Sequence, residues 1–395
     1  MKRDWRIQKT EKQQKQDPPM VWKRKLTAGI LCLAVGFLLY ILASRVPGMA
    51  EKYVSVVYSK ITVLIGGSFG VVPFSCAEML LYVLLIGLIG SFLRMLWKYI
   101  QGTKSTYVWK EWGASVFLTA AILFLLYVLN CGINYHREPF TTHAGMEGYF
   151  LTDKVRPSGK GMDSEISYHY TVDDLKRTCR ILTMEVNRYA TAVERDQKGR
   201  MYLSGDVQGK AAEAMAKLGA VYPVMAGYYP RPKPLLFSEI LSVQNLTGIY
   251  APFTVEANYN RDMTAYNIPF TMCHELSHLR GFMQEEEANF IAYLACLNSG
   301  EVQFQYSGSL LAWIHASNML KRYDEKAWEE LRGQLHEDVL ADLRANSIYW
   351  DAYKSEIAEI AEQVNDTYLR ANGQVDGVDS YNRMVDLLVE YWMIK

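Results

Sequence analysis

Hydrophobic residues are distributed in two different ways along the chain. In the first third they form three uncharged runs. Leu26–Ala43 is 18 residues long, Met79–Leu93 extends to Trp97 between Glu78 and the pair Arg94 and Lys98, and Gly113–Leu129 has 17 residues. A hydrocarbon core of about 30 Å is crossed by a helix of roughly 20 residues. Trp22, Tyr40, Trp97, Trp109 and Trp112 stand near the ends of the runs, where aromatic rings favour the interface. The runs predict three transmembrane helices, near 26–43, 77–97 and 113–130, in a membrane domain over 26–131. Within 45–72, Tyr53, Val56, Val57, Ile61 and Ile65 recur at helical spacing. They predict a further helix, lying on the membrane surface or, preferably, packed against the membrane helices.

Beyond residue 131 the apolar positions become periodic and are interleaved with charge. Thr171-Val-Asp-Asp reads as an N-cap with acids in the first turn, leading into Leu175, Cys179, Leu182 and Val186. Further helical patterns cover Ala211–Leu218, Ile268–Arg280, Glu285–Leu297, Ser309–Tyr323, Glu325–Ala345 and Tyr381–Trp392. The best strand signal is Gly248–Asn258, although Pro252 limits it to a sheet edge. The fold class is mainly α: three N-terminal transmembrane helices, then a helical domain over 132–395 with a small β element.

Charge divides along the chain in the same way. The 395 residues hold 42 Lys+Arg and 42 Asp+Glu, but residues 1–131 hold 16 of the former and six of the latter. The remainder holds 26 and 36. Nine of the basic residues lie in the first 25, so the tail over 1–25 is expected in the cytoplasm. Three crossings then place residues 132–395 outside it, with the lipid bilayer as a partner and no nucleic acid. Half the residues are hydrophobic and Gly and Pro are ordinary, which excludes a disordered or collagen-like chain. Six cysteines exclude a small disulfide scaffold.

The chemistry concentrates in Thr271–Ile291, TMCHELSHLRGFMQEEEANFI. His274 and His278, four apart, leave one face of a helix and can share a zinc ion. Glu275 follows the first histidine, where a general base can reach a water on the metal. Gly281 can end the helix in a left-handed conformation. The next helix then returns a carboxylate as third ligand. Glu285 is favoured because it shares a small face with Ala288, Asn289 and Ala292; Asn289 can hydrogen-bond a ligand from behind. Glu287, which shares a face with Ile291 and Leu294, is the reserve, and Glu286 is read as solvated.

These residues resemble the gluzincin peptidases, including the HtpX-type membrane proteases, whose third ligand is the Glu of a Glu-x-x-Ala-Asp motif. Here that motif reads Glu285, Ala288 and Asn289, with Asn in place of Asp. The metzincin pattern fits as far as Gly281 but has Gln284 where its third His belongs. Most of the chain also resembles an uncharacterised family of bacterial membrane proteins with three N-terminal helices and a metallopeptidase-like motif. That likeness runs through Pro73-Phe-Ser, Asn134–Pro139, Gly248–Asn258, His274–His278, Glu285–Asn289, Gly373–Gly377 and Ser380-Tyr381. The resemblance implies a zincin-like domain, Zn2+ as cofactor, and a peptide or protein substrate in the cell envelope.

Peptide hydrolysis needs a donor for the developing oxyanion. His315, Tyr349, Tyr368, Arg370 and Tyr381 are candidates, and Tyr381, at the end of the Gly-rich segment from Gly373, is the choice. Gly248–Asn258 can pair with an extended substrate or be purely structural; Glu256 and Asn258 can line a cleft or satisfy local backbone. Cys273 and Cys296 fall within reach of each other, as a disulfide or, preferably, as two thiols. The expected function is a membrane-anchored zinc metallopeptidase. The alternative is a non-catalytic envelope scaffold or sensor with a structural or vestigial zinc site.

Overall fold

A computed structural model describes residues 21–101, 105–146, 170–374, 377 and 383–395. The apolar runs are helices that continue past their uncharged cores: α1 spans Val21–Arg45, α2 Met49–Gly70, α3 Cys76–Ile100 and α4 Ser105–Tyr127. The added turns carry Lys23, Arg24, Arg45 and Lys98, whose long stems let the head groups reach water while the backbone stays helical. All four helices are long and apolar enough to cross a membrane, against the three expected.

The chain falls into two compact units. One takes the described residues up to Ile41 together with Leu80–Leu129; the other takes Leu42–Met79 with Asn130–Lys395. α2 therefore falls in the same compact unit as the C-terminal residues, whereas the sequence reading groups it with the membrane helices. In the first unit α1 and α4 approach closely where α1 has small residues. A Cβ at Gly29 would stand 2.6 Å from Phe117 Cε1, and one at Gly36 2.9 Å from Phe124 Cε1. Such close approach is how helices associate in lipid, where burying apolar surface gives little drive. Outward-facing Val83 and Ile86 of α3 are 66% and 71% exposed, a surface suited to hydrocarbon.

α2 is built differently. It alternates α-helical turns with π turns at Val54–Tyr58 and Thr62–Gly66. Widening some of its 3.6-residue turns brings the mean to about four residues per turn. A four-residue repeat then stays on one line. Ala50, Val54, Tyr58, Thr62 and Gly66 are all buried, whereas Lys52, Val56, Lys60, Leu64 and Ser68, two positions away, are all exposed. The buried line packs on the C-terminal residues of its own unit: Tyr58 Oη donates to Leu279 O at 3.0 Å and lies 2.8 Å from Tyr250 Oη. Expectation named a different face, Tyr53 to Ile65, because it assumed a uniform 3.6-residue period.

The second unit is mainly helical around one small sheet. α5 (Val172–Ala190) opens with the Thr171–Asp174 capping box and lies along α9 (Val302–Tyr323). α6 (Val207–Val221), α7 (Asn267–Leu279) and α8 (Glu285–Asn298) complete the centre, and nearly every residue of α7 and α8 is buried. The expected helix Glu325–Ala345 divides into α10 (Glu325–Gly333) and α11 (Glu337–Asp351), with His336 capping the second through the Asp338 N–H. α12 (Glu356–Ala371) and α13 (Met384–Ile394) follow. The single strand expected over Gly248–Asn258 is a hairpin. β2 (Gly248–Ala251) pairs antiparallel with β3 (Glu256–Tyr259), which pairs parallel with β1 (Lys233–Pro234), so the order is β1-β3-β2. Pro252 falls in the turn, where no ladder N–H is missed, and Val255 closes it at φ 53°, a conformation costly for a β-branched residue.

Candidate metal centre

The histidine helix ends as its sequence suggests. Gly281 takes φ 98°, the Gly281 N–H donates to His278 O at 2.8 Å and the Phe282 N–H to Ser277 O at 3.1 Å. This is a Schellman closure, which needs a residue tolerant of positive φ at the glycine position. The turn also carries the Phe282 carbonyl back over the helix, where it lies 2.8 Å from His278 Nδ1. Nδ1 of a neutral ring thus bears the proton and Nε2 keeps a lone pair, the tautomer a metal requires.

The returning helix α8 brings Glu285 to the histidine pair. His274 Nε2 and His278 Nε2 are 3.0 Å apart, and Glu285 Oε2 is 3.2 Å from the first and 3.6 Å from the second. Tetrahedral N and O ligands about 2.1 Å from a zinc ion stand about 3.4 Å from one another. The three atoms therefore have the mutual spacing such an ion demands. Glu285 Oε2 is buried and has no hydrogen-bond donor of good geometry, an orphan that a cation would satisfy. The residues fit zinc.

The electrostatics tell the same story. Burial lifts the Glu285 carboxyl, but the His278 and His274 charges outweigh it and hold it far below the usual range. Burial depresses His278, yet the Glu285 carboxylate, with Glu275, lifts it to about 9. His278 thus holds its proton beside the Glu285 carboxylate. Glu275 rises to about 7: burial lifts it, the two histidines pull it partly back, Glu285 adds to the rise, and the Tyr250 N–H favours the anion. Its Oε2 has no hydrogen-bond partner.

Other anticipated residues lie as follows. Asn289 is buried on α8, and no hydrogen bond joins it to the histidines among the described residues. Glu287 faces away and accepts the Phe140 N–H at 2.6 Å. Glu286 is half-buried and accepts from Gln374 Nε2 at 3.1 Å, so it is not simply solvated. The Gly373 loop thus reaches the first turn of α8; Tyr381 lies outside the described residues. His315 on α9 is close enough to His274 to feel its charge; burial and that charge hold its imidazole down to about 4. Tyr349 binds Ser242, Tyr368 binds Tyr135, and Arg370 binds Asp366, none of them in the triad. The Cys273 and Cys296 side chains meet as free thiols. Glu256 caps α3, accepting the N–H groups of Cys76 (3.3 Å) and Ala77 (2.7 Å) and a buried ion pair from Lys233.

Sequence reasoning missed Gly248. It begins the edge strand β2 directly over Glu275, and a Cβ there would stand 2.5 Å from Glu275 Oε1 and 2.7 Å from Thr271 Cγ2. A glycine opening a strand shortly before a histidine helix was the available signal.

A family profile described as "Protein of unknown function (DUF3810)" matches residues 53–389. Comparison with curated proteins and with solved structures returns no match.

Proposed function

The chain belongs to the DUF3810 family, and from its histidine helix we propose a membrane-anchored, zinc-dependent peptidase. The observation that carries this reading is the convergence of His274 Nε2, His278 Nε2 and Glu285 Oε2 at separations of 3.0, 3.2 and 3.6 Å. Three protein ligands, rather than four, among the described residues leave room for a water or substrate, as catalytic zinc sites do. When bound, zinc supplies Lewis acidity that makes water acidic near neutral pH and polarises a carbonyl.

Glu275 is the general base. Its buried Oε2, without a hydrogen-bond partner, is free to take a proton, and an affinity matched to neutral pH suits both accepting it and passing it to a leaving amine. The Tyr250 N–H steadies the carboxylate, and Gly248 leaves space for it. β2 is an edge strand, so an extended peptide can add to it beside the base. His315, neutral at pH 7 and near enough to His274 to feel its charge, is the donor we assign to a developing oxyanion among the described candidates.

The arrangement in the membrane is also our reading. The basic flank of α1 favours a cytoplasmic N-terminus. The buried line of α2 favours three crossings over four, which puts residues after 131 outside the cytoplasm.

The test uses the full chain in detergent. Wild type should hold one zinc ion and His274→Ala should not; equal zinc in both removes the site. Glu275→Gln should keep the zinc and lose peptide cleavage by about 10²–10⁴-fold. A wild type that holds zinc and cleaves nothing in an envelope extract favours the scaffold or sensor.

A further inference from the structure

A cavity of about 670 Å³ opens between α2 and the segment Ala226–Tyr228; Arg280 lines it, and neither His274 nor His278 does. Its wall on the α2 side includes two exposed apolar side chains, Val63 (56% exposed) and Leu64 (71%). Its charged side chains, Lys60 and Arg280, are both cationic, and Ser59, Ser68 and Tyr228 add neutral hydroxyls. Lys60 belongs to the outward line of α2 and pairs with no carboxylate among the described residues. Arg280 uses Nε on Val224 O (3.3 Å) and Nη2 on Ala226 O. Nη1 lies over the bare Cα of Gly227 and has no hydrogen-bond partner among the described residues. No acid lines the cavity.

We propose that this cavity binds an anionic phospholipid from the surrounding bilayer, its phosphate between Lys60 Nζ and Arg280 Nη1 and an acyl chain along Val63 and Leu64. The charge argument is direct. A phosphodiester carries one negative charge and oxygen acceptors, and an ammonium with a guanidinium edge is its usual receptor. The apolar argument selects the source. A soluble phosphate leaves Val63 and Leu64 in water, whereas a lipid covers them with its chain. Lys52, Val56, Lys60 and Leu64 alternate basic and apolar along one line of α2, as on helices that lie at an anionic interface. The proposal stands without zinc and does not depend on catalysis.

The test is native mass spectrometry of the full-length, delipidated protein in a neutral detergent. It is titrated with phosphatidylglycerol, phosphatidylcholine or glycerol phosphate. Two cationic contacts near a surface predict that phosphatidylglycerol is retained about 30-fold better than phosphatidylcholine. Lys60→Glu should abolish most of that preference, and Leu64→Asp should weaken retention of both lipids. Lys60 and Leu64 are exposed, so an unchanged melting curve of each variant separates lost binding from lost fold. Equal retention of the two lipids by wild type, or a preference that survives Lys60→Glu, overturns the proposal. Glycerol phosphate binding as tightly as phosphatidylglycerol overturns it too, by making the ligand a soluble anion.

Discussion

Glu285 and Glu287 are two residues apart on one helix, both buried, and their acidities move in opposite directions. Glu285 faces two imidazoles and is held far below the ordinary range. Glu287 faces the turn at Phe140; burial and the neighbouring Glu286 push it up to about 8, although the Phe140 and Thr141 N–H groups favour its anion. Burial is common to both, so burial does not decide. The partners do: Glu285 has two imidazoles in contact, whereas Glu287 has backbone N–H groups and the Arg137 charge working against a neighbouring carboxylate. A third carboxylate, Glu390 on α13, is the limiting case, lifted to about 7 by burial alone and with Oε2 unpartnered.

The contrast breaks most sharply at the metal. Glu285→Gln should reduce zinc affinity by at least about a hundredfold, the scale on which even indirect partners of a zinc ligand act. Glu287→Gln, which keeps an oxygen for the Phe140 N–H, should leave it unchanged. Competition with a chelator measures both, and equal losses would end the distinction drawn here.

Glu390 sharpens the contrast through pH. An acid whose pKa rises on folding binds its proton more tightly in the folded chain. Its contribution is harmless below the ordinary value near 4.5 and becomes a penalty as pH climbs towards about 7. Above that the penalty is constant. Glu390→Gln should flatten this window, adding up to about 3 kcal/mol at pH 8 and nothing at pH 4. Denaturant titrations at the two pH values read the difference; a gain of the same size at both would mean that Glu390 acts by shape rather than charge.

The smallest effect concerns the helix that holds the end of α7. Tyr58→Phe keeps the ring and removes a buried hydroxyl that meets Tyr250 and Leu279. The cost should be about 1–2 kcal/mol of stability, without loss of zinc. A chelator titration that moved with this variant would tie α2 to the metal more closely than the hydrogen bonds do.

Much of the histidine hairpin is legible in the sequence because it is local. The spacing of His274 and His278 and the glycine that ends their helix require only helical geometry. So does the shared face of Glu285 with Ala288. What escaped notice depends on distant partners or irregular backbone. The role of Glu287 is set by Phe140, 147 positions away. The buried line of α2 follows a four-residue period that exists only because π turns interrupt the helix. The strand expected over Gly248–Asn258 folds back on itself because Val255 adopts a conformation its side chain disfavours. His315 is one of five candidates for an oxyanion donor, and its place beside His274 depends on how α9 packs on α7, which no periodicity reveals.

The cap on α3 has a consequence for the order of synthesis. The first-turn amides of Cys76 and Ala77 are satisfied by Glu256, and Glu78 in turn accepts the N–H groups of Leu236 and Phe237. A ribosome finishes α3 some 150 residues before it reaches these partners, and segments nearer the N-terminus generally fold first. The helix is therefore complete long before the side chain that closes its end has been made. Until then its terminal amides are left to water, and the carboxylate that accepts them arrives only with the later part of the chain.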